Sequence, residues 1–482
     1  MMDGFWKNYT DFFLEKFWLT KVSFGRILLN SKKKDRWRAN AMTNDMSRGN
    51  PARLIISFML PVLAGNIFQQ FYNVVDSVIV GQFLGVNALA AVGSTGSVVF
   101  LVWGLVTGLT SGFSVILAQQ FGAGDKKGLC RYEGASVWLC GVIGILMTVI
   151  LMLGLNPILR LMNTPDEIFG ETRAYLGVLF AGILITFAYN MLAGMLRALG
   201  DSKTPLLFLV IASILNIVLD IVFILYCNTG VAGAAYATLI AQAVSALLCV
   251  RHIAKKYEIL KISRQDIHCS VSSAKKLLNV GIPMGLQFSI TAIGTMIVQA
   301  ALNGLGPVYI AGFSAAGKIG NIATQPFPSL GVAMATYTGQ NMGARRFDRV
   351  KKGVSAGFVI CLVCSVITGA AVYLFGPYMM KIFASGESGQ MIEYGVEYLK
   401  ISAWFYPPLS LIFLYRNTLQ GLGDGLVPML GGVFELAARF GAILVLAEPF
   451  GYTGICFSDP AAWVMALIPL VPVYYWRMKK IT

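Results

Sequence analysis

Apolar residues run along this chain in long uninterrupted stretches, and the polar positions inside them are few and regularly spaced. A helix needs roughly 20 mostly apolar residues to cross a bilayer. Twelve segments reach that length, approximately 54–80, 89–118, 134–158, 172–196, 205–226, 231–250, 277–300, 309–339, 353–376, 394–418, 428–447 and 454–476. A membrane barrel would instead show alternating segments of about ten residues. The pattern therefore predicts an all-α integral membrane protein with twelve transmembrane helices.

The pattern is written twice. At an offset of 221–223 residues, Pro61 falls on Pro283, QQFGAGDKK (from Gln119) on QNMGARRFD (from Gln340), and AYL at Ala174 on EYL at Glu397. RALGDSKTP, from Arg197, falls on QGLGDGLVP, from Gln420, and VAGAAYA, from Val231, on YTGICFS, from Tyr452. Each half holds an even number of spans, so both enter the membrane in the same orientation. Such parallel repeats relate by an axis along the membrane normal. The expected organisation is a cytoplasmic arm (1–52), an N-lobe of six spans (53–250), a cytoplasmic linker (251–276), a C-lobe of six spans (277–476) and a cytoplasmic tail (477–482). Two lobes that rock around a shared cavity are a transporter design. The repeated Gly-Asp-then-Pro loops read as a helix stop and restart, rather than as substrate contacts.

Polar residues inside the spans carry the candidate chemistry. In the first span Asn66, Gln69, Asn73 and Asp76 are spaced 3, 4 and 3 apart and share one helix face. An ionisable residue there costs at least about 2.5–3.5 kcal/mol. Lipid cannot satisfy such a face, whereas protein or a water-filled cavity can. Ser213, Asn216 and Asp220 repeat the device in the fifth span, and Thr186 and Asn190 stand one turn apart in the fourth, beside Tyr189. If these faces converge, two carboxylates and several amide oxygens share a pocket. Burial and a like-charged neighbour both make a carboxyl easier to protonate, and the same oxygens suit Na⁺. Asp76 and Asp220 are thus read either as ion-coupling groups or as helix-packing hydrogen-bond partners. The candidate cation ligands are Asp76, Asn190, Asn216 and Asp220.

The second half is not a copy at these positions. Counting 222 on from Asp76 reaches Val298, and the seventh span carries a neutral stripe of Gln287, Thr291, Thr295 and Gln299. Such a face lines a cavity or joins helices. Lys318 heads a polar face with Asn321 and Gln325, and either snorkels outward or moves its charge in transport. Candidate cavity residues are Gln69, Asn73, Tyr189, Gln287, Thr291 and Lys318. Glu435 and Arg439 stand four apart, the spacing of a local ion pair.

Composition agrees with the membrane reading. Of 482 residues, 56% are hydrophobic and 13% charged, against about 25% charged in soluble domains. The formal charge of +15 raises the question of nucleic acid. With both termini cytoplasmic, however, 32 of the 38 Lys and Arg fall on the inner side, 11 of them before the first span ends its lead-in at Arg53. This is the positive-inside pattern, and no nucleic-acid partner is expected. The cysteines read as small apolar filler. His252 and His268 share one inside loop without metal spacing. The first 41 residues contain aromatic patches and then SKKKDRWR. They hold no span and no cleavage signal, so the working protein is expected to begin near Met42. A basic stretch lying on the inner leaflet is the alternative. No HExxH, GxSxG or intramembrane His supplies a catalytic group, so no enzyme is expected.

The stretch FYNVVDSVIVGQFLGVNALAAVG, followed by VILAQQFGAGD, RALGDSKTP and QPFPSLGVAMATYTGQNMGARR, resembles the multidrug and toxic compound extrusion (MATE) family. The resemblance runs from about residue 50 to the end, with motifs in order in both halves. It implies twelve helices in two six-helix lobes. It also implies export of small organic, often cationic or amphipathic, drugs or metabolites in exchange for H⁺ or Na⁺. Alternating access in the plasma membrane, by a monomer without a cofactor, belongs to the same implication. The family's first-helix carboxylate, in its VDxxxxG pattern, falls on Asp76, and its fourth-helix amide on Asn190. Gly194 stands where many members carry another Asn or Asp, and Thr291 where some carry an acid, so H⁺ and Na⁺ both stay open. Na⁺ at Asp76 is the one metal ion considered. A lipid-linked precursor flippase of the same superfamily is the alternative. Those carry extra helices and a strongly cationic cavity, whereas this chain has twelve spans and few intramembrane Lys or Arg.

Overall fold

The computed structural model describes residues 45–257, 269–382 and 389–481. The arm before residue 45, the middle of the expected linker with His268, and Thr482 lie outside the described residues. The first span is α1 (Pro51–Leu84). Asn50 caps it by accepting from the Arg53 N–H at 3.3 Å, and Pro51 begins it where a missing N–H costs nothing. The second span is α2 (Val86–Ser94) and α3 (Gly96–Ala123), broken at Thr95. The third is α4 (Lys126–Leu161). The fourth is α5 (Asp166–Ala181) and α6 (Ile183–Ala198), bent by 49° at Gly182. Then come α7 (Lys203–Ile221), which runs into a π-helical turn at Val222–Tyr226, and α8 (Val231–Lys256).

The second half repeats the plan. Its spans are α9 (Val271–Asn303), the broken pair α10 (Pro307–Ala323) and α11 (Pro326–Gly343), and α12 (Phe347–Met380). These are followed by the broken pair α13 (Gly389–Trp404) and α14 (Tyr406–Gly421), then α15 (Leu426–Cys456) and α16 (Ser458–Ile481). The second and fourth spans are broken in both halves. In the second half the cause is legible: Pro326 and Pro407 fall in the first turn after each break, where proline is tolerated. The last span starts later than expected, because α15 continues to Cys456 across a kink at Gly451 (φ 54°). Among the described residues nine helices are long and apolar enough to cross a bilayer singly, and α5–α6 makes a tenth as a bent pair. The spans α10–α11 and α13–α14 complete the twelve.

Helix packing shows the repeat directly. In the first half α1 packs on α7, α7 on α8, α3 on α6, α2 on α5, and α4 on α5 and α6; in the second, α9 packs on α15, α15 on α16, α11 on α14, α10 on α13, and α12 on α13 and α14. The two lobes also exchange their leading turns. Ile55, Phe58 and Met59 of α1 are buried in the C-lobe core, and Leu277, Val280 and Met284 of α9 in the N-lobe core.

The lobes are locked together at one end of the bundle, the end that carries Lys126, Lys127, Arg345 and Arg346. A Cβ on Gly108 would lie 2.5 Å from the Met284 carbonyl oxygen, and one on Gly112 2.5 Å from the Gly281 Cα. Nearer this basic end, Gly122 and Gly343 lie so close to the backbones of Gln340 and Gln119 that neither position has room for a side chain. Gln119 Nε2 donates to the Gly421 carbonyl at 3.0 Å, and Gln340 Nε2 to the Ala198 carbonyl at 2.8 Å. Met46, 1% exposed, fills the same region. Its N–H donates to Gln340 Oε1 at 2.8 Å, its carbonyl accepts from Asn341 Nδ2 at 3.2 Å, and Arg346 donates to the Ser47 carbonyl at 2.9 Å.

Candidate functional site

The packing of α1 on α7 brings the two intramembrane acids together. Asp76 and Asp220 are near enough to interact electrostatically. Asp220 is fully buried and, among the described residues, neither of its carboxylate oxygens has a hydrogen-bond partner, and the buried Oδ1 of Asp76 has none either. One turn before Asp220, Asn216 donates through Nδ2 to Thr238 Oγ1 at 3.4 Å and leaves its own Oδ1 unpartnered. Tyr72 and Tyr175 stand beside both carboxyls. Four acceptor oxygens thus share a region with no donor assigned to any of them. An unsatisfied buried polar group costs about 1–3 kcal/mol, more when charged. Ionised carboxylates are acceptors only, so a proton or a small hard cation is what this group lacks. The π-helical turn begins two residues after Asp220, and such turns recur at functional sites.

A cavity of about 650 Å³ lies between the lobes. Asn66 and Gln69 of α1, Ser111 of α3, Gln287 and Thr291 of α9, and Asn417 of α14 are among its walls. Arg197 at the end of α6 and Arg416 of α14 line it too. Gln69 also borders a second, water-sized space of about 40 Å³ with Tyr72, Tyr189 and Asn216. Tyr72 is within hydrogen-bonding reach of Gln69. One face of α1 therefore joins the carboxyl pair to the cavity, as the 3-4-3 spacing implies.

Of the candidate cation ligands, Asp76, Asn216 and Asp220 come together. Asn190 spends its Nδ2 on the Thr186 carbonyl of its own helix at 2.9 Å. Of the candidate cavity residues, Gln69, Gln287 and Thr291 are on the wall, and Tyr189 borders the smaller space. Asn73 and Lys318 are exposed and off both linings. The local Glu435–Arg439 pair is corrected. Glu435 is bonded to Arg416 of α14, and Arg439 Nε donates to Asp459 Oδ1 of α16 at 2.9 Å. Both side chains point into the lobe, where neighbouring helices offer better-placed partners than the same helix does.

Arg197 and Arg416 are the residues that sequence reasoning missed. Both were counted among the charges of inner loops, yet both border the cavity. The repeat carried a signal: RALG over QGLG puts Arg197 on Gln420, and Gln420 lines the cavity as well.

Comparison with known proteins gives concordant matches. The MatE family model matches residues 61–222 and 283–440, one block in each half. The probable multidrug resistance protein YpnP of Bacillus subtilis is 32% identical over 386 residues, covering 79% of this chain and 84% of that protein. The probable multidrug resistance protein YoeA of the same organism is 27% identical over 92% of this chain and 97% of its own length. A solved structure described as the outward-facing conformation of a multidrug resistance MATE family transporter of the MOP superfamily superposes with a TM-score of 0.85 at 26% identity, covering 91% of this chain and 99% of that one.

Proposed function

The chain belongs to the MATE family, and from that premise we propose that it exchanges small organic molecules for H⁺ or Na⁺ by alternating access of the cavity between its lobes. It is a multi-pass membrane exporter of drug- or metabolite-class molecules, not an enzyme. The observation that carries the exchange reading is the donor-free pair Asp76–Asp220. Two ionised carboxylates in contact inside a bilayer repel strongly, so the pair is stable only when loaded with a cation. Loading and unloading then switch the packing of α1 on α7. α1 reaches further, because Asn66 Nδ2 donates to Ser329 Oγ of α11 at 3.1 Å. A shift of α1 thereby acts on the wall of the cavity and on the contact between lobes at once.

The basic end is read as cytoplasmic, in keeping with the positive-inside rule; both termini inside the cell, in a plasma-membrane protein, belong to the same reading. With the basic end locked, this is the outward-facing state, and the likeness to a transporter described in that state supports the assignment. The lobes, residues 53–250 and 277–476, rock as units within a monomer, and the coupling ion is the only cofactor. The test is substrate uptake into proteoliposomes under separate Na⁺ and proton gradients, wild type against Asp76→Asn. One of the gradients drives the wild type, and the variant loses that response. Equal driven transport by both proteins refutes the role given to Asp76.

A further inference from the structure

The charges on the cavity wall point to a substrate class. We propose that the cavity takes an organic anion, a carboxylate- or phosphate-bearing amphipathic molecule, held between Arg197 of the N-lobe and Arg416 of the C-lobe. This rests on the transport reading above and departs from the organic cations expected from family resemblance.

Among the described residues, the ionisable side chains on the wall are these two arginines, and no Asp or Glu borders the cavity. The intramembrane acids are engaged elsewhere. Asp76 and Asp220 face each other, Glu435 is bonded to Arg416, and Asp459 accepts from Arg439 and from the Tyr398 hydroxyl. Arg197 is half-buried and has no ion pair among the described residues. Arg416 is 7% exposed; Glu435 takes one of its donors, and its Nε is buried without a partner. A guanidinium has five donors in a planar fork that matches carboxylate and phosphate. Charge-assisted bonds of that kind are among the strongest available. Phe288, Phe413 and Met284 supply an apolar bed for the rest of the molecule, and the volume suits a drug-sized ligand. A cationic molecule would meet Arg197, which has no ion pair among the described residues, beside an Arg416 already neutralised by Glu435, with no acid on the described wall to receive it; that is selection by repulsion. The anion does not compete with the coupling ion for Asp76 and Asp220, so exchange is coupled through α1 and Gln69 rather than by displacement.

The experiment measures binding before transport. Fluorescence anisotropy of carboxyfluorescein and of cationic rhodamine 6G is followed on the purified full-length protein in detergent, for wild type, Arg197→Gln and Arg197→Lys. Gln occupies the equivalent position in the other half, and Arg197 makes no side-chain hydrogen bond or ion pair among the described residues, so the fold tolerates the change. The expected result is binding of the anion in preference to the cation, about tenfold weaker in Arg197→Gln and partly recovered in Arg197→Lys. A short-chain NBD-phosphatidylglycerol is run alongside. If it binds with the same Arg197 dependence and carboxyfluorescein does not, the source of the anion is a lipid headgroup. Preference for rhodamine 6G, or anion binding indifferent to Arg197→Gln, overturns the proposal. Because binding needs no gradient, anion binding without gradient-driven uptake would sink the exchange reading and leave this inference standing.

Discussion

Replacing Asp220 by asparagine tests the carboxyl pair as a unit. The change is nearly isosteric, removes one of two facing charges, and gives Asp76 an N–H donor where it had none. Two unit charges about 4 Å apart repel by about 4 kcal/mol at an effective dielectric of 20. A cation between them removes that repulsion, so the pair's attraction for a cation exceeds a single carboxylate's by a similar amount. At about 1.4 kcal/mol per decade, Asp220→Asn should raise the coupling-ion concentration needed for half-maximal driven uptake by about 10²–10³-fold. The assay is proteoliposome uptake across a series of Na⁺ concentrations and a series of pH gradients, with the melting temperature in detergent as a control for folding. Asp76→Asn should show a comparable loss, and the double variant should be no worse than the poorer single one, because groups that share a site are non-additive. Losses that multiply, or an Asp220→Asn protein with the wild-type ion dependence, refute a shared site and leave Asp220 as a packing residue.

Three further outcomes follow from the contacts. Gly122→Leu has no space against the Gln340 backbone; overpacking of about 1–3 kcal/mol should hold the basic end apart, read as faster hydrogen exchange at residues 118–122 and an uptake rate down by about tenfold, and unchanged exchange would show that this contact is not a gate. Gln340→Ala removes a bridge from Met46 to Ala198; with about 1 kcal/mol per bond, the Met46 amide should exchange roughly tenfold faster, while an unaltered rate would mean the segment is held by other contacts. Arg439→Met leaves the half-buried Asp459 without its cation; breaking a fully buried pair costs about 3–5 kcal/mol and this one somewhat less, so the detergent melting temperature should fall clearly, whereas a local pair with Glu435 would leave Asp459 indifferent.

What the sequence disclosed depended on how local the cause was. Span positions follow from runs of apolar residues, and the repeat follows from motif register, so both were legible. The Asp76 stripe was legible because helical spacing alone puts Asn66, Gln69 and Asp76 on one face. That Asp220 is the partner of Asp76 required the packing of α1 on α7, for which spacing offers only a hint. Asn73 shares the face by spacing but is exposed, although Ile79 and Val80 further along α1 are buried. The breaks in the second and fourth spans were not read as breaks, because the small and polar run Gly93–Ser97 and the lone Gly182 are each too short to divide an apolar segment. Arg197 and Arg416 were misassigned for a different reason. A charge near a span end is ordinarily a loop charge, and these two are exceptions because the last turns of α6 and α14 border the cavity.

The two lobes handle their buried acids in opposite ways, and this asymmetry bears on which lobe answers to the ion. At an offset of 222, Asp76 and Asp220 fall on Val298 and Ala442, while Glu435 falls on Ser213. The C-lobe acids Glu435 and Asp459 each have an arginine from a neighbouring helix, so its charge is balanced within the lobe in every state. In the N-lobe, Asp76 and Asp220 have no arginine or lysine paired with them among the described residues and await a charge from outside. A permanently neutralised lobe has no reason to change its packing when an ion arrives, whereas the other has a strong one. On the exchange reading proposed above, the N-lobe is the responsive half and the C-lobe the frame it moves against. Introducing a fixed cation as Val80→Lys or Ile217→Lys beside the N-lobe pair should then mimic the C-lobe: transport continues, if at all, without dependence on either gradient. A gradient-dependent rate in a lysine variant whose ammonium is shown by structure to contact Asp220 would defeat the argument, because the pair would then be filled and still respond.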